Sequence, residues 1–72
     1  MKITIESTSQ IVNADGIDCR VWEGTTEHGV KVTALIPRIA ALADQDLTQF
    51  ETELQKMRAP IGFEAFPLRM IL

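Results

Sequence analysis

The sequence predicts an α+β domain: an antiparallel sheet of three to four strands, with one amphipathic α-helix packed on one face. Three observations predict it. Two glycine-containing turns, Asp15-Gly16 and Glu27-His28-Gly29, separate three runs rich in β-branched residues. One later stretch, 44–58, carries apolar residues at helical spacing. The chain of 72 residues has room for a single domain, 1–72.

The first strand is expected over about 2–12, where Ile3, Thr4, Ile5, Thr8, Ile11 and Val12 alternate in part. Ser7-Thr8-Ser9-Gln10 interrupts the apolar pattern, which predicts a bulge or bend. Asp15-Gly16 is a hairpin signal, because the turn needs positive φ and glycine supplies it at little cost. The second strand follows over 17–26, with Ile17, Cys19 and Val21 on one face and Arg20 and Trp22 on the other. The third is expected over 30–38. Val30, Val32, Ala34 and Ile36 share one of its faces, and Lys31, Thr33 and Leu35 the other. Pro37 marks its end, since proline has no N–H for a ladder.

Turn lengths set the pairing. A two-residue Asp15-Gly16 loop places Val12 opposite Cys19. A two-residue His28-Gly29 loop places Val21 opposite Ile36 and Trp22 opposite Leu35. A three-residue loop, Glu27-His28-Gly29, adds a bulge and shifts that register by one.

The helix is expected over 44–58, where Leu47, Phe50, Leu54 and Met57 form one stripe. Asp44 or Asp46 suits its start, and Asp46 with Gln49 resembles a capping box. Lys56 and Arg58 suit the negative end of the helix dipole, and Ala59-Pro60 stops the helix. The stripe is expected to bury itself on the face carrying Cys19, Val21, Val32, Ala34 and Ile36. In the tail, Phe66, Leu68, Met70 and Leu72 alternate with Pro67, Arg69 and Ile71, which predicts a strand over 65–71. That strand either joins the sheet as its fourth or pairs with another chain.

So short a chain buries only about 60% of the surface it exposes when unfolded. Disulfides, metals or partner subunits usually make up the shortfall. Cys19 is the one cysteine and His28 the one histidine, so neither an intrachain disulfide nor a structural zinc site is expected. The apolar share is 46%, high for this length, and a homo-oligomer or a bound partner is the remaining route. A net charge of −3, spread along the chain, is not the footprint of a nucleic-acid binder. Met1-Lys2-Ile3-Thr4-Ile5-Glu6 does not read as a signal peptide, and no stretch approaches the ~20 apolar residues of a membrane helix. The single unpaired cysteine suits a reducing cytoplasm.

Candidate chemistry is sparse. A nucleophilic dyad needs thiol and imidazole in hydrogen-bond reach. The strand model sets Cys19 and His28 roughly 20 Å or more apart. Asp44 and Asp46 are explained by capping. Glu23 and Glu27 near His28 form too small a donor set for a metal. Gly16, Gly24, Gly29 and Gly62 are scattered and make no phosphate loop. No catalytic residue, metal or cofactor is expected. Trp22 is the residue of most interest, since it shares the second sheet face with Arg20 and Leu35 in the two-residue register, and tryptophan and arginine are favoured at binding hot spots. Glu27 and His28 at the hairpin tip join them as candidate contacts.

Ile5-Glu6-Ser7-Thr8, Arg20-Val21-Trp22-Glu23-Gly24-Thr25-Thr26-Glu27-His28-Gly29-Val30, Arg38-Ile39-Ala40 and Pro67-Leu68-Arg69-Met70-Ile71 together resemble short proteins encoded in phages and prophages of proteobacteria, a group of unassigned function. The resemblance spans most of the chain and is loosest over the helix. It implies an accessory protein that occludes a host or defence protein in the bacterial cytoplasm, and it assigns no functional residues. Three functional readings follow. The first is a stoichiometric protein-binding inhibitor. The second is a homo-oligomer that sequesters a nucleotide signal, with phosphate contacts from Arg20, Lys31, Arg38 and Arg69 and base stacking on Trp22. The third is a minor structural or assembly component of the virion.

Overall fold

The computed structural model describes residues 1–61 of the chain. Three strands, β1 (Ile3–Ala14), β2 (Ile17–Thr26) and β3 (Lys31–Ile36), form one antiparallel sheet in the order β1-β2-β3. One helix, α1 (Leu47–Leu54), follows, so the α+β class holds. The strand expected over 65–71 lies outside the described residues.

The first hairpin forms as its turn chemistry demands. Asp15 and Gly16 take φ of 52° and 84°, the two positive values a type I′ turn needs. Asn13 Oδ1 accepts from the Gly16 N–H at 3.0 Å and closes the turn. Val12 sits opposite Cys19, the expected register. The interruption at Ser7–Gln10 is a bulge: Ser7 pairs with Trp22 and Ile11 with Arg20, so Thr8, Ser9 and Gln10 together face Val21. The Thr8 hydroxyl, fully buried, donates to the Val21 carbonyl at 2.7 Å and satisfies a group the ladder leaves open. Arg20 Nη1 donates to the Thr8 carbonyl at 2.8 Å and holds the bulge from the other strand. Further along, Ile5 lies opposite Gly24, where any Cβ would overlap the Thr4 carbonyl oxygen.

The second hairpin uses the three-residue loop. Gly29 takes φ of 83° and donates to the Thr26 carbonyl at 3.0 Å, while Thr26 N–H donates to Val30 at 2.9 Å. This is the bulged hairpin in which glycine supplies the left-handed position. Val21 therefore pairs with Leu35, Trp22 with Ala34 and Arg20 with Ile36, one residue away from the two-residue register. A one-residue slip turns every side chain of β3 to the other face. Leu35 and Thr33 share the face of Cys19, Val21 and Glu23, while Ala34, Ile36 and Val32 share that of Trp22 and Arg20.

The helix is shorter than its apolar stripe. Asp46 caps it, its carboxylate accepting from Gln49 N–H at 2.9 Å, as the Asp46–Gln49 spacing predicts. Residues 44 and 45 lie in the turn before it. At the far end Gln55 is the cap. The chain then straightens, and Arg58 bridges Thr8 in parallel: Arg58 N–H donates to Ser7 at 3.2 Å, and Ser9 N–H to Arg58 at 2.9 Å. Lys56 and Arg58 thus lie beyond the helix, and not in its last turn. The expected docking face is also reversed. Phe50 and Leu54 line a groove with Trp22 and Ile36, whereas the buried Cys19 and Val21 project from the opposite face of β2. None of α1's residues is buried.

Candidate functional site

The groove between α1 and the Trp22 face has a volume of about 310 Å³. Trp22, Ile36, Pro37, Ile39, Phe50 and Leu54 supply its apolar lining, and Ser7, Arg20, Arg38 and Glu53 its polar one. β2 positions Trp22 and Arg20, the end of β3 positions Ile36, and α1 carries Phe50, Glu53 and Leu54 at spacings of three and four. Trp22 is half-buried and also borders a wider depression beyond Ser7, toward Lys56 and Met57. A rigid amphipathic ring between two recesses is available to an incoming group from either side.

The structure brings Arg20 and Trp22 together, as the strand alternation required. It separates Leu35 from them, because the three-residue turn places Leu35 on the face of Val21. Glu27 and His28 are exposed at the β2–β3 tip, and Lys31 pairs with Thr25 on the face away from Trp22. Arg69 lies outside the described residues. Arg38 lines the groove and Arg20 does too, although one Arg20 nitrogen is engaged by Thr8. Sequence reasoning missed Phe50, Leu54 and Ile36 as lining residues. Their signal was present in the helical stripe and the β3 alternation, but was assigned to the wrong sheet face.

A second polar centre lies on the opposite face. Glu23 is 1% exposed, and its carboxylate accepts from Arg58 Nη1 at 2.7 Å and from Ile61 N–H at 2.9 Å. Arg58 Nη2 also reaches the Glu23 carbonyl at 3.3 Å, and Arg58 Nε stands 3.9 Å from Glu6, the residue opposite Glu23. Two glutamates directly opposed across a ladder repel. The guanidinium between them relieves that, and the cluster fixes residues 58–61 to the sheet. Glu23 is thus engaged by Arg58, while Glu27 and His28 lie at the exposed tip.

Cys19 is buried and His28 is exposed at a turn. Among the described residues no three His, Cys, Asp or Glu side chains cluster closely enough to hold a metal ion. No helix among them is long and apolar enough to cross a membrane. No protein-family model, no curated protein and no solved structure matches the chain.

Proposed function

We propose that this chain is a non-enzymatic binding domain, acting by stoichiometric protein–protein contact as an accessory protein of a phage or prophage. In this reading it blocks a host or defence component in the bacterial cytoplasm. The observation that carries the binding role is the placement of Trp22: half-buried, flanked by Arg20, and facing an open groove whose other wall is an unburied helix. Tryptophan and arginine in a recess are the side chains around which binding energy concentrates. The exposed tip at Glu27 and His28 supplies a second contact. The phage assignment rests on the sequence resemblance, and the inhibitory action on what that resemblance implies. Quantitative capture from host lysate tests the reading, with wild type beside Trp22→Ala. A specific protein retained by wild type and lost with Trp22→Ala supports it. Equal retention by both removes the Trp22 face from the mechanism.

A second reading is favoured by one juxtaposition. Arg20, Arg38 and Trp22 line the same groove, and guanidinium groups with an aromatic face suit a nucleotide. Thermal-shift screening with cyclic and linear nucleotides tests it, and absence of stabilisation by all of them rejects it.

A further inference from the structure

We propose that the Trp22 groove is a self-association surface, filled by the same groove of a second copy of this chain in a twofold dimer. The proposal rests on the reading of the Trp22 face as a contact surface and names its occupant.

The helix supplies the first argument. α1 has eight residues, and helices this short do not hold in water without tertiary packing. Yet none of its residues is buried among the described residues. Leu47 is 46% exposed and Leu54 41%, and the neighbouring Ile39 and Leu42 are 49% and 73% exposed. Ile39 and Leu54 line the groove, so an occupant there adds packing to α1. A chain of this length also lacks the core volume to stand far above the stability threshold alone.

The rim supplies the second argument, and it selects the occupant. Arg38, at the exit of β3, and Glu53, on α1, line the same groove. Both are exposed, and neither forms an ion pair among the described residues. A small anion drawn by Arg38 meets Glu53, and a small cation drawn by Glu53 meets Arg20 and Arg38. A second copy presents both signs in reverse order. In a twofold interface residue i meets j and j meets i. In the proposed dimer Arg38 of each copy faces Glu53 of the other, and the apolar linings of the two grooves meet. Charge-matched rims around an apolar centre are the ordinary anatomy of such interfaces. The tip at Glu27 and His28 remains open on both copies for a foreign partner.

Sedimentation equilibrium of the full chain tests this. Wild type is expected at twice the chain mass at micromolar concentration. Arg38→Glu and Glu53→Arg each set like charges opposed at both ends of the interface. Each alone is expected to weaken self-association by at least about 100-fold. Mixed in equal amounts, the two variants regain complementary pairs at both ends, and the heterodimer is expected to recover. Both positions are exposed, so the fold is retained, and circular dichroism verifies it. A monomeric wild type at all concentrations up to roughly 0.5 mM overturns the proposal; dimers are ordinarily tighter than that. So does a dimer indifferent to both substitutions, or folded single variants that fail to pair when mixed. If the chain is monomeric while Trp22→Ala still abolishes capture of a foreign protein, the self-association fails and the binding reading stands. If the charge-swap pattern appears and no foreign protein is captured, self-association stands and the host-directed reading fails.

Discussion

Arg58 donates to the buried carboxylate of Glu23 at 2.7 Å, joining two residues 35 positions apart. A buried carboxylate is tolerated only when its charge is paired and its lone pairs are occupied. Arg58 supplies the charge, and Ile61 N–H occupies another acceptor site. The pair therefore acts as a tether: it brings the chain after α1 back to the bulged edge of β1, where Thr8 and Arg58 form their bridge. Arg58→Ala removes the guanidinium that stands between the buried Glu23 and the opposed Glu6. The expected loss is about 3 kcal/mol, the lower end for a broken buried pair because the Arg58 side chain is 30% exposed. Arg58→Lys recovers only part, since one ammonium cannot reproduce two guanidinium contacts in a fixed fork. Urea denaturation reads both. An unchanged midpoint for Arg58→Ala would contradict the tether.

Gly24 and Gly16 differ in what they require, and the same substitution separates them. At Gly24 an added Cβ collides with the Thr4 carbonyl and Ile5 Cα, both backbone. Relief needs β1 and β2 to part, and Gly24→Ala is expected to cost at least about 2 kcal/mol. At Gly16 nothing lies in the way, and only the positive φ resists. Gly16→Ala is expected to cost about 1 kcal/mol. Equal losses at the two positions would mean that strand spacing at Gly24 is not the constraint.

Thr33 lies opposite Glu23, and its buried hydroxyl has no hydrogen-bond partner among the described residues. Removing an unsatisfied buried donor of similar shape is neutral or favourable. Thr33→Val is expected to leave stability unchanged or raise it by up to about 1 kcal/mol. A fall in the denaturation midpoint would show that the hydroxyl has a partner after all.

Asp46 caps a helix with no fully buried residue, so loss of the cap is expected to act locally. Asp46→Ala should accelerate amide exchange over Phe50–Leu54 about fivefold while the global unfolding midpoint barely moves. A large global loss would place α1 within the cooperative core.

Much of the sheet was legible because turn chemistry acts locally. Asp15-Gly16 dictated a type I′ turn and hence the Val12–Cys19 register, and the polar run at Ser7–Gln10 announced the bulge. Asp46 and Gln49 announced the helix start. The second hairpin was legible only as two alternatives, since Glu27-His28-Gly29 suits both loop lengths. The three-residue loop inverted the faces of β3, removing Leu35 from the Trp22 face and placing Ile36 there. The helix end was misread for a different reason. Lys56 and Arg58 suit a helix dipole, but the bridge to Thr8 and the buried Glu23 offer Arg58 more than a dipole can. Such long-range pairing has no local signature. It became visible only once the register set Glu6 directly against Glu23.

The central claim is that this chain works through contact at the Trp22 groove. The most direct measurement is the amount of its specific binding partner, a second copy or a foreign protein, retained on immobilised wild type and on folded Trp22→Ala. We expect Trp22→Ala to retain at least about tenfold less, the loss of a central aromatic anchor. Equal retention on both surfaces would contradict the account.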